Sequence, residues 1–83
     1  MSPVCLKEVD DLQPYRLFFF SNEIGEPPHI HVQREGMLAK FWLNPVRLAR
    51  STGFSPWELR RIQAIVLENS TILQEAWDEY FPD

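Results

Sequence analysis

The chain has 83 residues and a formal net charge of −4, with 45% apolar and 24% charged residues. That is enough for one domain and one core, and too little for two. Six Phe, three Trp and two Tyr argue against disorder. The single cysteine, Cys5, excludes an internal disulfide and a cysteine-rich zinc site. No apolar run approaches the roughly 18–20 residues of a membrane span, and the N-terminus lacks the basic flank and apolar stretch of a signal peptide. A cytoplasmic location with no membrane contact is expected.

The first element in chain order is a short edge strand over Val4–Lys7, entered from Pro3. Asp10-Asp11 through Pro14 reads as a turn. Tyr15–Ser21 (YRLFFFS) is the strongest strand, apolar on both faces and therefore central. Asn22–Pro28 is a loop. His29–Arg34 and Met37–Leu43 both alternate with period two around Glu35-Gly36, which predicts a β-hairpin. A two-residue loop sets Ile30 opposite Phe41 and Val32 opposite Ala39, an apolar face for helices to cover. It sets His31 opposite Lys40 and His29 opposite Trp42 on the other face. A register one step away would exchange the faces.

Asn44-Pro45 reads as the N-cap and first residue of a short helix running to about Thr52 and stopping at Gly53. Ser55-Pro56-Trp57-Glu58 is a capping box, with Phe54 and Leu59 placed as its hydrophobic staple. The helix behind it presents Leu59, Ile62, Val66, Leu73, Ala76, Trp77 and Tyr80 on one stripe, with Asn69-Ser70-Thr71 a weak patch that can bend it. The expected architecture is α+β: a small three- to four-stranded antiparallel sheet with two C-terminal helices packed on one face.

Charge follows the same division. Residues 1–43 carry four basic and six acidic side chains, residues 44–63 carry Arg47, Arg50, Arg60 and Arg61 against Glu58, and residues 64–83 carry five acids and no base. A basic middle and an acidic tail predict two electrostatic faces.

Several strings resemble a known family. They are Phe19-Phe20-Ser21-Asn22-Glu23, Glu26-Pro27-Pro28-His29-Ile30-His31-Val32, Ala39-Lys40-Phe41-Trp42-Leu43 with Pro45-Val46, Gly53-Phe54-Ser55, Glu58-Leu59-Arg60-Arg61-Ile62 and Glu75-Ala76-Trp77. Together they resemble the bacterial domain-of-unknown-function family 4160 from about Tyr15 to Phe81; the stretch before Tyr15 resembles it less. The resemblance implies a small bacterial cytoplasmic protein. Genes of this family often neighbour those of domain-of-unknown-function family 2442, and such pairs have been proposed as toxin–antitoxin modules.

The candidate site is the His/Trp face of the hairpin. His29 and His31 are two apart on a strand, so both imidazoles leave the same side. With Lys40 opposite His31, they resemble a kit for metal-free RNA cleavage: His29 and His31 as general acid and base, Lys40 stabilising phosphate charge. Arg16 in the preceding strand and Trp42, as a stacking surface, are the substrate- or partner-binding candidates. Arg47 and Arg50, one turn apart on the expected helix, and Arg60-Arg61 on the next are further phosphate or partner contacts. A metal held by the two histidines with Glu26 or Glu23 ranks below this, and no cofactor is called for.

The same face serves equally well to grip a partner chain, with Trp42 and Phe18 or Phe20 as an aromatic patch. The reading is therefore a toxin–antitoxin-type protein on the toxin side acting as a metal-independent endoribonuclease. Its alternative is a non-enzymatic interaction module for a cognate small protein of the family-2442 type. RNA and a second copy of the chain are the other partners considered.

Overall fold

The computed structural model describes residues 3–5, 14–20 and 25–81, the first three by their backbone alone. The turn expected at Asp10–Asp11, most of the Asn22–Pro28 loop's first half and Glu23 lie outside the described residues. Among the described residues five strands precede two helices: β1 (Pro3–Cys5), β2 (Arg16–Phe20), β3 (His29–Arg34), β4 (Met37–Leu43), β5 (Val46–Thr52), α1 (Pro56–Glu68) and α2 (Ser70–Tyr80). The strands form one antiparallel sheet in the order β1-β2-β3-β4-β5. The α+β class and the number of C-terminal helices are as the sequence predicts, but the two helices divide the stretch expected as one; among the described residues the sheet is wider, with five strands.

The β3–β4 register is the one read from the apolar match. Ile30 pairs with Phe41, Val32 with Ala39, His31 with Lys40 and His29 with Trp42. Glu35 opens the two-residue turn at a φ of 57°. Leu17 and Phe19 of β2 join Ile30, Val32, Ala39 and Phe41 on one face, and Ile62, Val66, Leu73 and Trp77 of the helices close over it. Phe41, Ile30, Val32, Val66 and Leu73 are wholly buried. Burying an apolar side chain of this size contributes on the order of 1.5–3 kcal/mol, so this face holds the two layers together.

The short helix expected over 44–52 is a strand instead. Asn44-Pro45, joined by a cis peptide bond, forms the turn between β4 and β5 rather than a helix start. Val46–Thr52 then pairs with β4 from Leu43↔Val46 to Leu38↔Thr52. Local propensity in Arg47-Leu48-Ala49-Arg50 favours helix; the unpaired edge of β4 overrides it, because pairing satisfies a whole row of backbone groups.

The single helix expected over 55–80 is two. Asn69 ends α1 and begins α2, and its side-chain Nδ2 donates to the carbonyl of Ile65 at 2.8 Å. Asparagine competes with the helix ladder through such bonds, so the polar patch breaks the helix outright. At the other end the Ser55 hydroxyl accepts from the Glu58 amide at 3.3 Å, so the predicted N-cap forms. The Glu58 carboxylate does not return to it. Arg34 donates to both of its oxygens at 2.9 Å, and the Tyr15 hydroxyl donates to Oε2 at 2.8 Å. This cluster ties β3 and the entry to β2 to the first turn of α1.

Candidate functional site

Directly paired residues share a face of a sheet, so the register alone defines the face opposite the main helical layer, which α2 reaches at the His29 end through Trp77. From β2 and β3 it carries Arg16 opposite Gln33 and Phe18 opposite His31. From β3 and β4 it carries His31 opposite Lys40 and His29 opposite Trp42. From β5 it gains Arg50 opposite Lys40 and Arg47 opposite Trp42. His29, His31, Lys40, Arg16, Trp42, Arg47 and Arg50 are thus on one face.

Arg47 and Arg50 share that face because of a bulge, not because of a helical turn. Residues three apart on a regular strand point to opposite sides. Here the pairing slips between Lys40 and Phe41, whose partners are Arg50 and Leu48, so Ala49 is the extra residue. Arg60 and Arg61 separate from the group. They lie exposed on α1, in the layer that covers the other face.

The histidines are embedded in a row of rings. His31 stacks on Phe18 at 5.3 Å and meets the edge of Phe20 at 5.3 Å. His29 lies 5.2 Å from His31, 5.8 Å from Trp42 and 4.9 Å from Trp77 of α2. His29 is 0% exposed and His31 7%. His29 Nδ1 stands 2.9 Å from the Pro27 carbonyl; a carbonyl only accepts, so this nitrogen carries the proton and donates it there. The expected patch of Trp42 with Phe18 or Phe20 takes another form. Phe18 is buried, Phe20 and Trp42 are half-buried, and the imidazoles occupy the space between.

The basic side chains differ in what they hold. Lys40 Nζ reaches Glu26 Oε1 at 2.8 Å and lies 4.7 Å from the centre of the Trp42 ring. Arg16 donates to Gln33 at 3.2 Å and lies 4.8 Å from the centre of the Phe18 ring. Arg47 and Arg50 are exposed and make no ion pair among the described residues. Glu26 also stands 3.8 Å from His29 Nδ1. Among the described residues no three His, Cys, Asp or Glu side chains converge as a metal site would require.

A groove of about 200 Å³ opens between β2 and the end of β5. Phe18, Phe20 and Leu38 supply apolar wall, with His31, Lys40 and Arg50 beside them. Leu38, which the sequence reading passed over, is 41% exposed there. Its place opposite Gln33 follows from the same hairpin register.

The Arg34–Glu58–Tyr15 cluster, also missed from sequence, belongs to the helix-covered side. Arg34's hydrogen bonds hold the Glu58 carboxyl below its ordinary range, and Tyr15's hydrogen bond adds to this. Burial, then the hydrogen bond to Glu58, pushes the Tyr15 phenol up. No pattern of spacing announces a pair 24 residues apart.

Among the described residues no helix is long and apolar enough to cross a membrane. No curated protein and no solved structure matches the chain. The family model for the domain of unknown function DUF4160 matches residues 15–78, which takes in β2 to β5, α1 and most of α2. The chain belongs to the DUF4160 family.

Proposed function

We propose that this protein is a non-enzymatic binding module of a toxin–antitoxin-type pair, and that its open sheet face receives the cognate small protein. The observation that carries this reading is the segregation of charge by structural layer. Among the described residues the strands hold Arg16, Arg34, Lys40, Arg47 and Arg50 and no Asp or Glu. Two of these cations, Arg47 and Arg50, project from the open face without an ion pair among the described residues. In a chain of net charge −4 acids are in surplus, yet the described ones, Glu26, Glu35, Glu58, Glu68, Glu75, Asp78 and Glu79, all lie off the strands. A face so arranged attracts an anionic partner and orients it.

The state of the histidines favours binding over cleavage. General acid–base catalysis needs both imidazoles within reach of the substrate's protons. His29 is fully buried and its Nδ1 proton is committed to Pro27. Imidazoles packed among rings give the face its shape, which a docking surface uses.

The test is co-expression with a tagged small protein of the family-2442 type, followed by size exclusion. A complex is expected with wild type and with Arg60→Glu/Arg61→Glu, and is lost with Arg47→Glu/Arg50→Glu. A complex indifferent to the β5 charge reversal would overturn the face assignment. RNA cleavage by wild type that disappears in His31→Gln would restore the enzymatic reading.

A further inference from the structure

We infer that the groove beside Arg50 takes a single bulky apolar side chain of the partner, flanked in the partner's sequence by Asp or Glu. This rests on the open face being the docking surface, and it names the chemistry of what docks.

The groove joins two features that are each awkward alone. Its wall includes Leu38, an apolar side chain left 41% exposed on a sheet face, with Phe20 half-buried beside it. Its rim includes Lys40 and Arg50, like charges directly opposite each other on neighbouring strands, which is destabilising in a sheet. One ligand resolves both. An apolar anchor removes Leu38 and Phe20 from water, and a carboxylate beside it meets Arg50, whose planar fork suits two-point contact with a carboxylate. The volume of about 200 Å³ suits one anchor residue rather than a helix. Interfaces are commonly centred on such anchors.

The observations favour an acidic polypeptide over single-stranded RNA. Sequence-tolerant binding of single strands uses bare aromatic faces on which bases stack. Here His31 lies stacked on Phe18, Arg16 stands over the Phe18 ring and Lys40 stands over Trp42. The observations also disfavour one of the described strands from a second copy, because none of these five strands carries an acid. The acidic α2 of a second copy would meet this face head to tail, a contact that builds rings or open filaments and would show as self-association.

The experiment uses the full chain and synthetic ten-residue peptides followed by amide chemical shifts and titration. The first peptide has a central Phe with Asp and Glu on both sides; the second replaces Phe by Ala; the third replaces the acids by Lys. The first is expected to perturb residues around His31, Leu38 and Arg50 and to bind at least tenfold more tightly than the other two. Arg50→Glu and, separately, Leu38→Glu should each weaken it tenfold or more, while Arg60→Glu/Arg61→Glu leaves it unchanged. Both β-face positions are exposed, so these variants keep the fold, and their amide spectra check that they do. Equal binding of the Phe and Ala peptides, no binding of the first peptide, or tighter binding of an octauridine at the same residues would overturn the inference. So would concentration-dependent self-association that is abolished by Arg50→Glu.

The two proposals fail separately. If the partner complex forms and depends on Arg47 and Arg50 but ignores Leu38→Glu, the anchor inference fails and the docking face stands. If the anchored peptide binds as described and no partner complex forms, the groove stands and the toxin–antitoxin-type pairing falls.

Discussion

Lys40 and Arg50 stand directly opposite each other on β4 and β5, two positive side chains on one face of the sheet. Lys40 is drawn toward Glu26 at 2.8 Å, while Arg50 has no such acid among the described residues. The pair is a local cost that nothing within the described fold relieves on the Arg50 side.

Replacing Arg50 by Thr should therefore stabilise the free protein. Like charges facing each other across strands disfavour pairing by about 0.2–1 kcal/mol, and Thr is at home on an edge strand. The gain is expected in urea unfolding at low salt. It should shrink in about 1 M salt, where the Debye length is about 3 Å. A destabilised Arg50→Thr variant at low salt would show that the arginine has a structural partner.

Glu58 should make the fold acid-sensitive. Its carboxyl is held below the ordinary value of 4.5 by the hydrogen bonds from Arg34 and then Tyr15. Between the folded and unfolded values the unfolded chain binds more protons, so stability rises with pH there. The contribution is present above the ordinary carboxyl value and is lost as pH falls through the lower folded one. Glu58→Gln should lower stability at neutral pH and flatten this acid limb. A slope identical to wild type in denaturant titrations between about pH 5 and pH 2 would show that other carboxylates carry it.

Tyr15 supplies the complementary check at the alkaline end. Its phenol is raised above the ordinary 10.0 by burial and by the bond to Glu58. The neutral phenol is the form the fold favours, so this contribution is present below 10.0 and is lost as pH rises through the raised value. In an absorbance titration of tyrosinate, Tyr15→Phe should remove a component that develops above 10.0. If the component it removed developed at or below 10.0, the burial argument for Tyr15 would be wrong.

Gly53 should resist substitution where Gly36 does not. Gly53 has a φ of 96°, and a Cβ there would stand 2.8 Å from Met37 Cγ, whereas a Cβ on Gly36 meets nothing within 4 Å. Gly53→Ala is expected to lose about 1–3 kcal/mol, the range for a residue held in an unfavourable backbone region. Gly36→Ala should change stability by less than about 1 kcal/mol. Adding Met37→Ala should not rescue Gly53→Ala fully, since the backbone strain remains. Full rescue would place the whole effect in the side-chain clash.

What the sequence makes legible is what is local. The β3–β4 register follows from alternation around a two-residue turn, and with it the shared face of His29, His31, Lys40 and Trp42. The Ser55 cap and the core positions Ile62, Val66, Leu73 and Trp77 follow from capping chemistry and helical period. β5 does not, because its bulge erases the period of two and its residues are good helix formers. Nor does the burial of His29, which depends on Trp77 arriving from 48 positions away in the chain. The diversion of Glu58 from Ser55 to Arg34 is likewise decided by the meeting of distant elements.

The extra residue in β5 has a consequence for reading related sequences. Two arginines separated by two residues, with a bulge between them, project as two arginines separated by one residue would on an unbroken strand. A relative that lacks the counterpart of Ala49 would present the same charges from a shorter edge, so alignment columns here compare poorly unless the gap is placed at the bulge.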